Sequence, residues 1–324
     1  MTTFYSALLG IVLLGAPVDA QQRSTIPTAV GSRVMVTYLG TAGWKISDGR
    51  TVILIDPYLS RLRRADSEAE AERLRQSSGD LRPVYGPDDP LVSDTAVIDA
   101  HIQRADFILV HHSHSDHLMD VPYIARKTAA TVIGTESTTN AVRAYGIPAR
   151  QLITVQGGED YQFGAFSVRV IPSLHSPLDA KQYFDSRVIP PTVKAPLSNN
   201  DYGEGRSLAY LIRFGGHEIL TFGGMNYIER EIQDLRPDVA IVGAAPSHNE
   251  IYDYAGRLMR ALGSPATVLP THWDDHSLPL ADERATKERL SRVTTFADEI
   301  RAASPHTRVI VPKYFEPVVL PTRR

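Results

Sequence analysis

The sequence predicts an α/β fold built on large sheets, and three observations lead there. Short apolar runs of strand length recur from residue 34 to residue 311, many bounded by Gly, Pro, Asp or Ser. Stretches of helical composition stand between some of them. The composition, 43% hydrophobic and 22% charged over 324 residues, is that of a globular chain with room for one large domain or two modest ones. It excludes a disordered, collagenous or coiled-coil chain. A net charge of −3 offers no basic field for nucleic acid. The absence of cysteine excludes disulfides, thiolate nucleophiles, iron–sulfur clusters and Cys-type zinc sites. Any metal must therefore be held by nitrogen and oxygen, which directs attention to the 11 histidines.

The elements follow in order. Residues 7–16 form an apolar run, followed by Pro17, Val18, Asp19, Ala20 and the polar pair Gln21-Gln22. The run is too short to span a bilayer, which takes about 20 helical residues. Val18 and Ala20, third and first before Gln21, fit signal-peptidase cleavage there, although residues 1–20 contain no Lys or Arg. The expectation is a signal peptide over 1–20, a single domain over 21–324, no transmembrane segment, and a periplasmic or secreted location. A buried N-terminal helix is the alternative.

Residues 34–39 and 51–55 read as strands joined by a turn through 47–50. The stretch 61–75, rich in Glu, Ala, Arg and Leu, predicts an exposed helix or a mobile excursion, and 77–90 a Pro-, Asp- and Gly-rich loop. Residues 107–110 form an apolar run of the kind buried on both faces. Strands at 131–134 and 166–171 continue the series. Residues 176–206 carry Tyr183, Phe184, Pro190, Pro191, Pro196 and Tyr202, and predict a long loop that covers a pocket as a lid. Residues 208–213 and 218–222 flank Gly215-Gly216, a hairpin signal. Buried strands at 239–243 and 266–270, a charged amphipathic helix over 281–303 and a strand at 309–311 complete the chain. No low-complexity linker interrupts it, so one domain is expected.

The chemistry gathers at strand ends. Directly after 107–110 come His112, His114, Asp116 and His117 in the spacing H-x-H-x-D-H. From the His content and Asp at roughly 6%, chance supplies fewer than about 10⁻³ such matches in a chain this long. In extended chain His112 and His114 share a face, while Asp116 and His117 lie past the bend and reach a second position. Imidazoles with a carboxylate suit Zn²⁺ at about 2.0–2.2 Å. A polar loop that merely caps the next helix is the alternative. His175 and His272 each follow another predicted strand, where loops carry functional groups on a rigid scaffold.

The order of strand, His112-x-His114-x-Asp116-His117, His175 and His272 resembles the metallo-β-lactamase superfamily over nearly the whole chain after residue 20. The segments 38–44 and 54–58 share in the likeness. Within the superfamily the chain is most similar to the branch of ascorbate-6-phosphate lactonases and N-acylphosphatidylethanolamine-hydrolysing phospholipase D. The resemblance implies a four-layer αβ/βα sandwich with metals in a cleft at the sheet edges. His112, His114 and His175 would hold one zinc, and Asp116, His117 and His272 a second. One departure stands out. Many superfamily hydrolases place a bridging aspartate after the strand that here reads 219–222, whereas this chain continues Gly223-Gly224-Met225-Asn226. A thioether is a poor partner for zinc, so the second site is expected to be the weaker. One subclass of true metallo-β-lactamases shares these six ligands without the bridge.

Zinc lowers the pKa of bound water to about 7 and so offers hydroxide at neutral pH. The resulting expectation is an exported zinc hydrolase acting on an ester, lactone, amide or phosphodiester, with a small-molecule or lipid-like substrate. Asp116 ligates and orients the nucleophile. Asp56, Asn226, His248 and Asp274 are candidates for supporting contacts, as are Asp275 and His276, with turn, capping or solvated roles as their alternatives. A true β-lactamase and a non-hydrolytic metal-binding or redox protein are the competing readings. Di-iron redox members of the superfamily typically carry Glu at the place of His114, which favours zinc. The substrate and the oligomeric state are not written in the sequence.

Overall fold

The computed structural model describes residues 33–77, 79–177 and 186–322. The expected signal peptide, the cleavage point at Gln21 and the aromatic pair Tyr183 and Phe184 lie outside them. The first sheet contains β1 (Met35–Gly40), β2 (Gly43–Ser47) and β3 (Val52–Ile55). A separate two-stranded pair, β4 (Arg63–Arg64) and β5 (Val84–Tyr85), comes next in the chain. The first sheet resumes with β6 (Phe107–Leu109), β7 (Thr131–Gly134) and β8 (Leu152–Thr154). The second sheet begins with β9 (Asp160–Phe163), β10 (Phe166–Pro172), β11 (Leu208–Phe214) and β12 (His217–Phe222). It continues with β13 (Val239–Gly243), β14 (Thr267–Thr271) and β15 (Arg308–Val309). The last strand, β16 (Pro317–Val319), returns to the first sheet beside β1.

Each large sheet has seven strands, in the orders β16-β1-β2-β3-β6-β7-β8 and β15-β14-β13-β12-β11-β10-β9. In both, an antiparallel meander passes into parallel strands linked through helices. The period-2 rule explains the layering. Ile53 and Ile55 of β3 join the core between the sheets with Val168, Tyr210 and Ile241, while Leu54 faces the other way with Ile108, Val132 and Ile124. Both faces of β3 are therefore covered, as its unbroken apolar run requires. Helices Val121–Thr128 and Glu136–Ala144 cover the outer face of the first sheet, and Tyr254–Leu262 and Leu290–Ala303 that of the second. The result is the expected four-layer αβ/βα sandwich.

The differences from the sequence reading have local causes. One turn was expected between 34–39 and 51–55, but β2 lies between them. Its Trp44 and Ile46 alternate with the half-buried Lys45, and a sharp turn at Gly40 and Thr41, with φ of 96° and 53°, brings it back onto β1. The segment 61–75 divides into β4 and helix Glu68–Gln76, capped by the Ser67 side chain. The helix over 281–303 divides into Arg284–Lys287 and Leu290–Ala303. Strands β8, β9 and β16 have three or four residues each, too few for a periodic signal. The hairpin at Gly215-Gly216 forms as expected, both glycines having positive φ. Of the expected lid, residues 186–206 are described and pack against the fold, with Arg187, Asn199, Asn200 and Tyr202 on the cavity wall. Ile189, Leu197 and Tyr202 are buried, Asn140 donates to the Ile189 carbonyl at 3.0 Å, and Leu197 donates to the Tyr145 hydroxyl at 3.0 Å.

Candidate metal centre

The loop after β6 is organised by one carboxylate. Asp56 follows β3 with φ of 39° and is fully buried. Its Oδ1 accepts the His111 backbone N–H at 2.8 Å, and its Oδ2 lies 2.7 Å from His111 Nδ1 and 2.6 Å from His117 Nδ1. Each ring thus gives its Nδ1–H to Asp56. His111 turns its Nε2 to Thr221 Oγ1 at 3.3 Å, while His117 turns its Nε2 towards Asp116 and His272. Carboxylate-held imidazoles of this kind have a fixed orientation and a more basic free nitrogen.

Two donor clusters result, each with atoms within 4.8 Å of one another. In the first, the His112, His114 and His175 rings stand nearly perpendicular, with centroids 4.8–4.9 Å apart. His175, just beyond β10, is oriented by its Nδ1 at 3.0 Å from the Ser176 carbonyl. In the second, Asp116 Oδ2 lies 3.3 Å from His272 Nε2 and 3.6 Å from His117 Nε2. His272 follows β14 with φ of 55°, its backbone N–H anchored on the Thr41 carbonyl at 2.7 Å. Within each cluster the loop after β6 supplies two groups and the second sheet supplies one.

These residues fit a metal. His112 Nε2 is buried and has no hydrogen-bond partner, a costly state for an imidazole nitrogen unless an ion takes its lone pair. At His112, His175 and Asp116 protonation agrees with ligation, which needs neutral imidazole and ionised carboxylate. Burial, reinforced by the neighbouring histidines, pushes His112 well below its usual pKa and brings His175 down to about 3. Burial opposes ionisation of Asp116, but His117 and His272 hold it well below the usual carboxylate range. Asp56 is likewise brought to about 2, the His111 and His117 rings outweighing its burial. His117 moves the other way, because Asp56 and Asp116 outweigh burial and raise it.

All six ligand candidates thus come together around a cavity of about 520 Å³. The supporting candidates divide. Asp56 holds His117, as expected. His276 lies on the cavity wall with its ring 5.6 Å from that of His272, and burial lowers its pKa to about 4. Asn226 is a turn residue, its Oδ1 accepting the Tyr227 N–H at 2.9 Å and its Nδ2 donating to the His175 carbonyl at 3.3 Å. His248 lies away from the cavity, bonded to the Ala245 carbonyl and to Glu299 and packed on Phe296. Asp275 accepts from Ser277 and pairs with Arg289 at 2.6 Å.

Asp274 contacts no ligand-candidate ring and does not line the metal cavity. It is fully enclosed by Arg61 Nη2 at 2.7 Å, the Tyr38 and Tyr314 hydroxyls and the Thr41 backbone N–H. Burial raises its pKa, but Arg61 and these donors bring it far below the ordinary carboxylate range. Met225 does line the cavity, its backbone N–H on Ser176 Oγ at 2.9 Å. Gly223 and Gly224 do not have positive φ; a Cβ on Gly223 would stand 2.4 Å from His111 Cβ. The sequence reading passed over Arg64, Arg187, Asn199 and Asn200, which also line the cavity. No local pattern marks them, since Arg64 sits in a charged run that reads as an exposed helix.

Two sheets packed face to face, helices outside, and paired histidine–aspartate clusters at the strand ends define the metallo-β-lactamase class. The chain belongs to the beta-lactamase superfamily, whose domain model matches residues 35–272. A UPF0173 metal-dependent hydrolase of Staphylococcus aureus is 25% identical over 207 residues, covering 63% of this chain and 84% of that protein. Among solved structures, the metallo hydrolase Igni18 of Ignicoccus hospitalis matches with TM-score 0.53 and 16% identity, over 90% of this chain and all of that one. CmlA, a diiron β-hydroxylase of Streptomyces venezuelae, matches with TM-score 0.55 and 15% identity, over 89% of this chain and 54% of that one. At these identities the structural likeness shows the fold. The choice between hydrolysis and oxidation rests on the site.

Proposed function

We propose that the protein is a zinc-dependent hydrolase that uses both donor clusters on an ester, lactone, amide or phosphodiester. The observation that carries this is the pair of clusters on one cavity wall, five imidazoles and one carboxylate, with the His112 nitrogen buried and unpartnered. The family match and the metal-dependent hydrolase among its relatives support the same reading. A donor set so rich in imidazole, with His114 in place of a second carboxylate, suits zinc better than a carboxylate-bridged iron pair.

His112, His114 and His175 would hold one ion, and Asp116, His117 and His272 the other. Bound zinc would supply Lewis acidity towards the scissile group and acidify water at the site. The chain's own residues do the rest. Asp56 fixes the Nδ1–H tautomer of His117 and keeps its Nε2 turned towards the second cluster. Asp116, ionised and beside both rings of that cluster, is placed to orient the attacking water. His276, neutral at pH 7, lies on the wall beside His272 and can bond a substrate oxygen.

The test is elemental analysis of purified protein together with a substrate screen. Close to two zinc per chain, and turnover of at least one of p-nitrophenyl esters, lactones, amides or bis-p-nitrophenyl phosphate, is expected. Turnover confined to nitrocefin would make the protein a β-lactamase. Iron as the native metal with no hydrolysis in the screen would refute the proposal.

A further inference from the structure

We infer that Arg64 is the anion-recognition residue of this cavity, so that the enzyme selects substrates with a carboxylate or phosphate close to the scissile bond. The inference rests on the hydrolase reading and adds to it the charge class of the substrate.

Three arginines follow the β3 loop, and their surroundings differ. Arg61 is neutralised by Asp274 at 2.7 Å. Arg63 donates to the Leu74 and Asp80 carbonyls and lies 3.7 Å from the Asp80 carboxylate. Arg64 lines the metal cavity and forms no ion pair among the described residues. Its Nη1 donates to Ser115 Oγ and, at 3.0 Å, to Asn199 Oδ1, both neutral oxygens. Its Nε is buried with no partner at all. Asp66, the nearby acid on the wall, accepts from Asn199 Nδ2 at 3.2 Å and keeps its charge, but makes no ion pair with Arg64.

Arg64 is half-buried, and the Asp116 and Asp66 charges act on it without a direct ion pair, so an anionic group in the cavity would complete its hydrogen bonding. Ser115 precedes Asp116, so the cation stands beside the second donor cluster. The six candidate ligands carry a single carboxylate, so a pair of divalent ions held there would keep excess positive charge. Arg187, tied to the Asn200 carbonyl at 2.7 Å, adds a second guanidinium to the same wall. An anionic group on the substrate would meet the planar fork of Arg64 while its scissile group lies over the donor clusters.

The experiment compares kcat/KM for two esters with one leaving group, mono-p-nitrophenyl succinate and p-nitrophenyl butyrate. The ratio cancels any loss common to both. A preference for succinate of about tenfold or more is expected, the range of a charge-assisted contact. Arg64→Gln should bring the ratio to near one, and Arg64→Lys should keep part of it. An unchanged ratio in Arg64→Gln, or no preference in the wild type, would overturn the inference. If Arg64→Gln fails to fold, Arg64→Lys decides, since a point charge without the fork should lower the ratio severalfold.

Binding supplies a readout independent of turnover. Metal-free wild-type protein titrated with inorganic phosphate, and separately with succinate, should bind at least one of them. Arg64→Gln should bind it at least tenfold more weakly, and the stronger probe names the anion. Equal binding by both proteins would overturn the inference even where both esters are hydrolysed. Failure to hydrolyse either ester, with Arg64-dependent binding intact, would refute the hydrolase reading and leave the anion site standing.

Discussion

Replacing Asp274 by Asn should cost the fold far more than it costs the chemistry. The side chain keeps its size, but Arg61, 1% exposed, loses the only carboxylate it pairs with among the described residues. Breaking a buried ion pair from one side costs about 3–5 kcal/mol, because the remaining charge stays desolvated. The Tyr38 and Tyr314 hydroxyls and the Thr41 N–H would also bond a neutral amide in place of an anion. At roughly 2 °C per kcal/mol for a domain of this size, the melting temperature should fall by about 5–10 °C. Urea denaturation of metal-free wild type and variant gives the free energy directly, and kcat on the folded variant gives the chemistry. Some weakening of the second metal site is expected, since Thr41 also anchors His272. A loss of stability below about 1 kcal/mol, or a hundredfold fall in kcat at unchanged stability, would show that Asp274 acts on the reaction.

Asp116→Ala should do the reverse, removing nearly all activity and one metal by elemental analysis while the melting temperature of the metal-free protein moves by only a few degrees. The Asp56 carboxyl, at about 2 against an ordinary 3.8, stabilises the fold by about 2 kcal/mol above pH 4 and loses that contribution as pH falls through about 2. Asp56→Asn should therefore flatten acid denaturation of the metal-free protein over that window. Chelator titration followed by metal analysis should show two steps, the Asp116/His117/His272 site emptying first. Met225→Asp should close the gap between the steps, and a wild type with a single step would show the missing carboxylate to be immaterial. We propose that export removes residues 1–20; mature protein recovered from its producing cells should then begin at or near Gln21, and an intact Met1 would refute this.

The six ligand candidates were legible because their signal is local. Four lie within six consecutive residues, and His175 and His272 each follow an apolar run that forms a strand. The sheets were legible for the same reason, since runs such as 239–243 satisfy burial on both faces without reference to any partner. What could not be read depends on approach in space. Asp274 stands two residues from the ligand candidate His272, and only the approach of Arg61, 213 residues away, to 2.7 Å shows where its carboxylate turns. His248 follows a strand as His175 does, yet helix Leu290–Ala303 takes it through Glu299. Arg64 gave no signal because an arginine in a charged run is ordinarily solvated; β4 turns it inwards. Gly223 gave no signal of its own, because the His111 side chain that fills the space a Cβ needs comes from another element.

The metal centre is also a joint between the two halves of the sandwich. The first sheet ends β3 in Asp56 and β6 in the His111–His117 loop; the second ends β10 and β14 in His175 and His272. Neither half can form either cluster alone, so an ion that binds both must favour the docked arrangement. His111 works in the same direction without binding metal. It joins Asp56 of the first sheet to Thr221 of the second, with Gly223 packed against its Cβ. One buried carboxylate, Asp56, therefore serves both tasks. Through His117 it orients a ligand, and through His111 it pins the second sheet where His175 and His272 can complete the clusters. This explains why it is held in a positive-φ conformation at the end of β3, where a non-glycine residue is strained. In that conformation the Oδ2 atom lies between the two rings, 2.7 Å from His111 Nδ1 and 2.6 Å from His117 Nδ1.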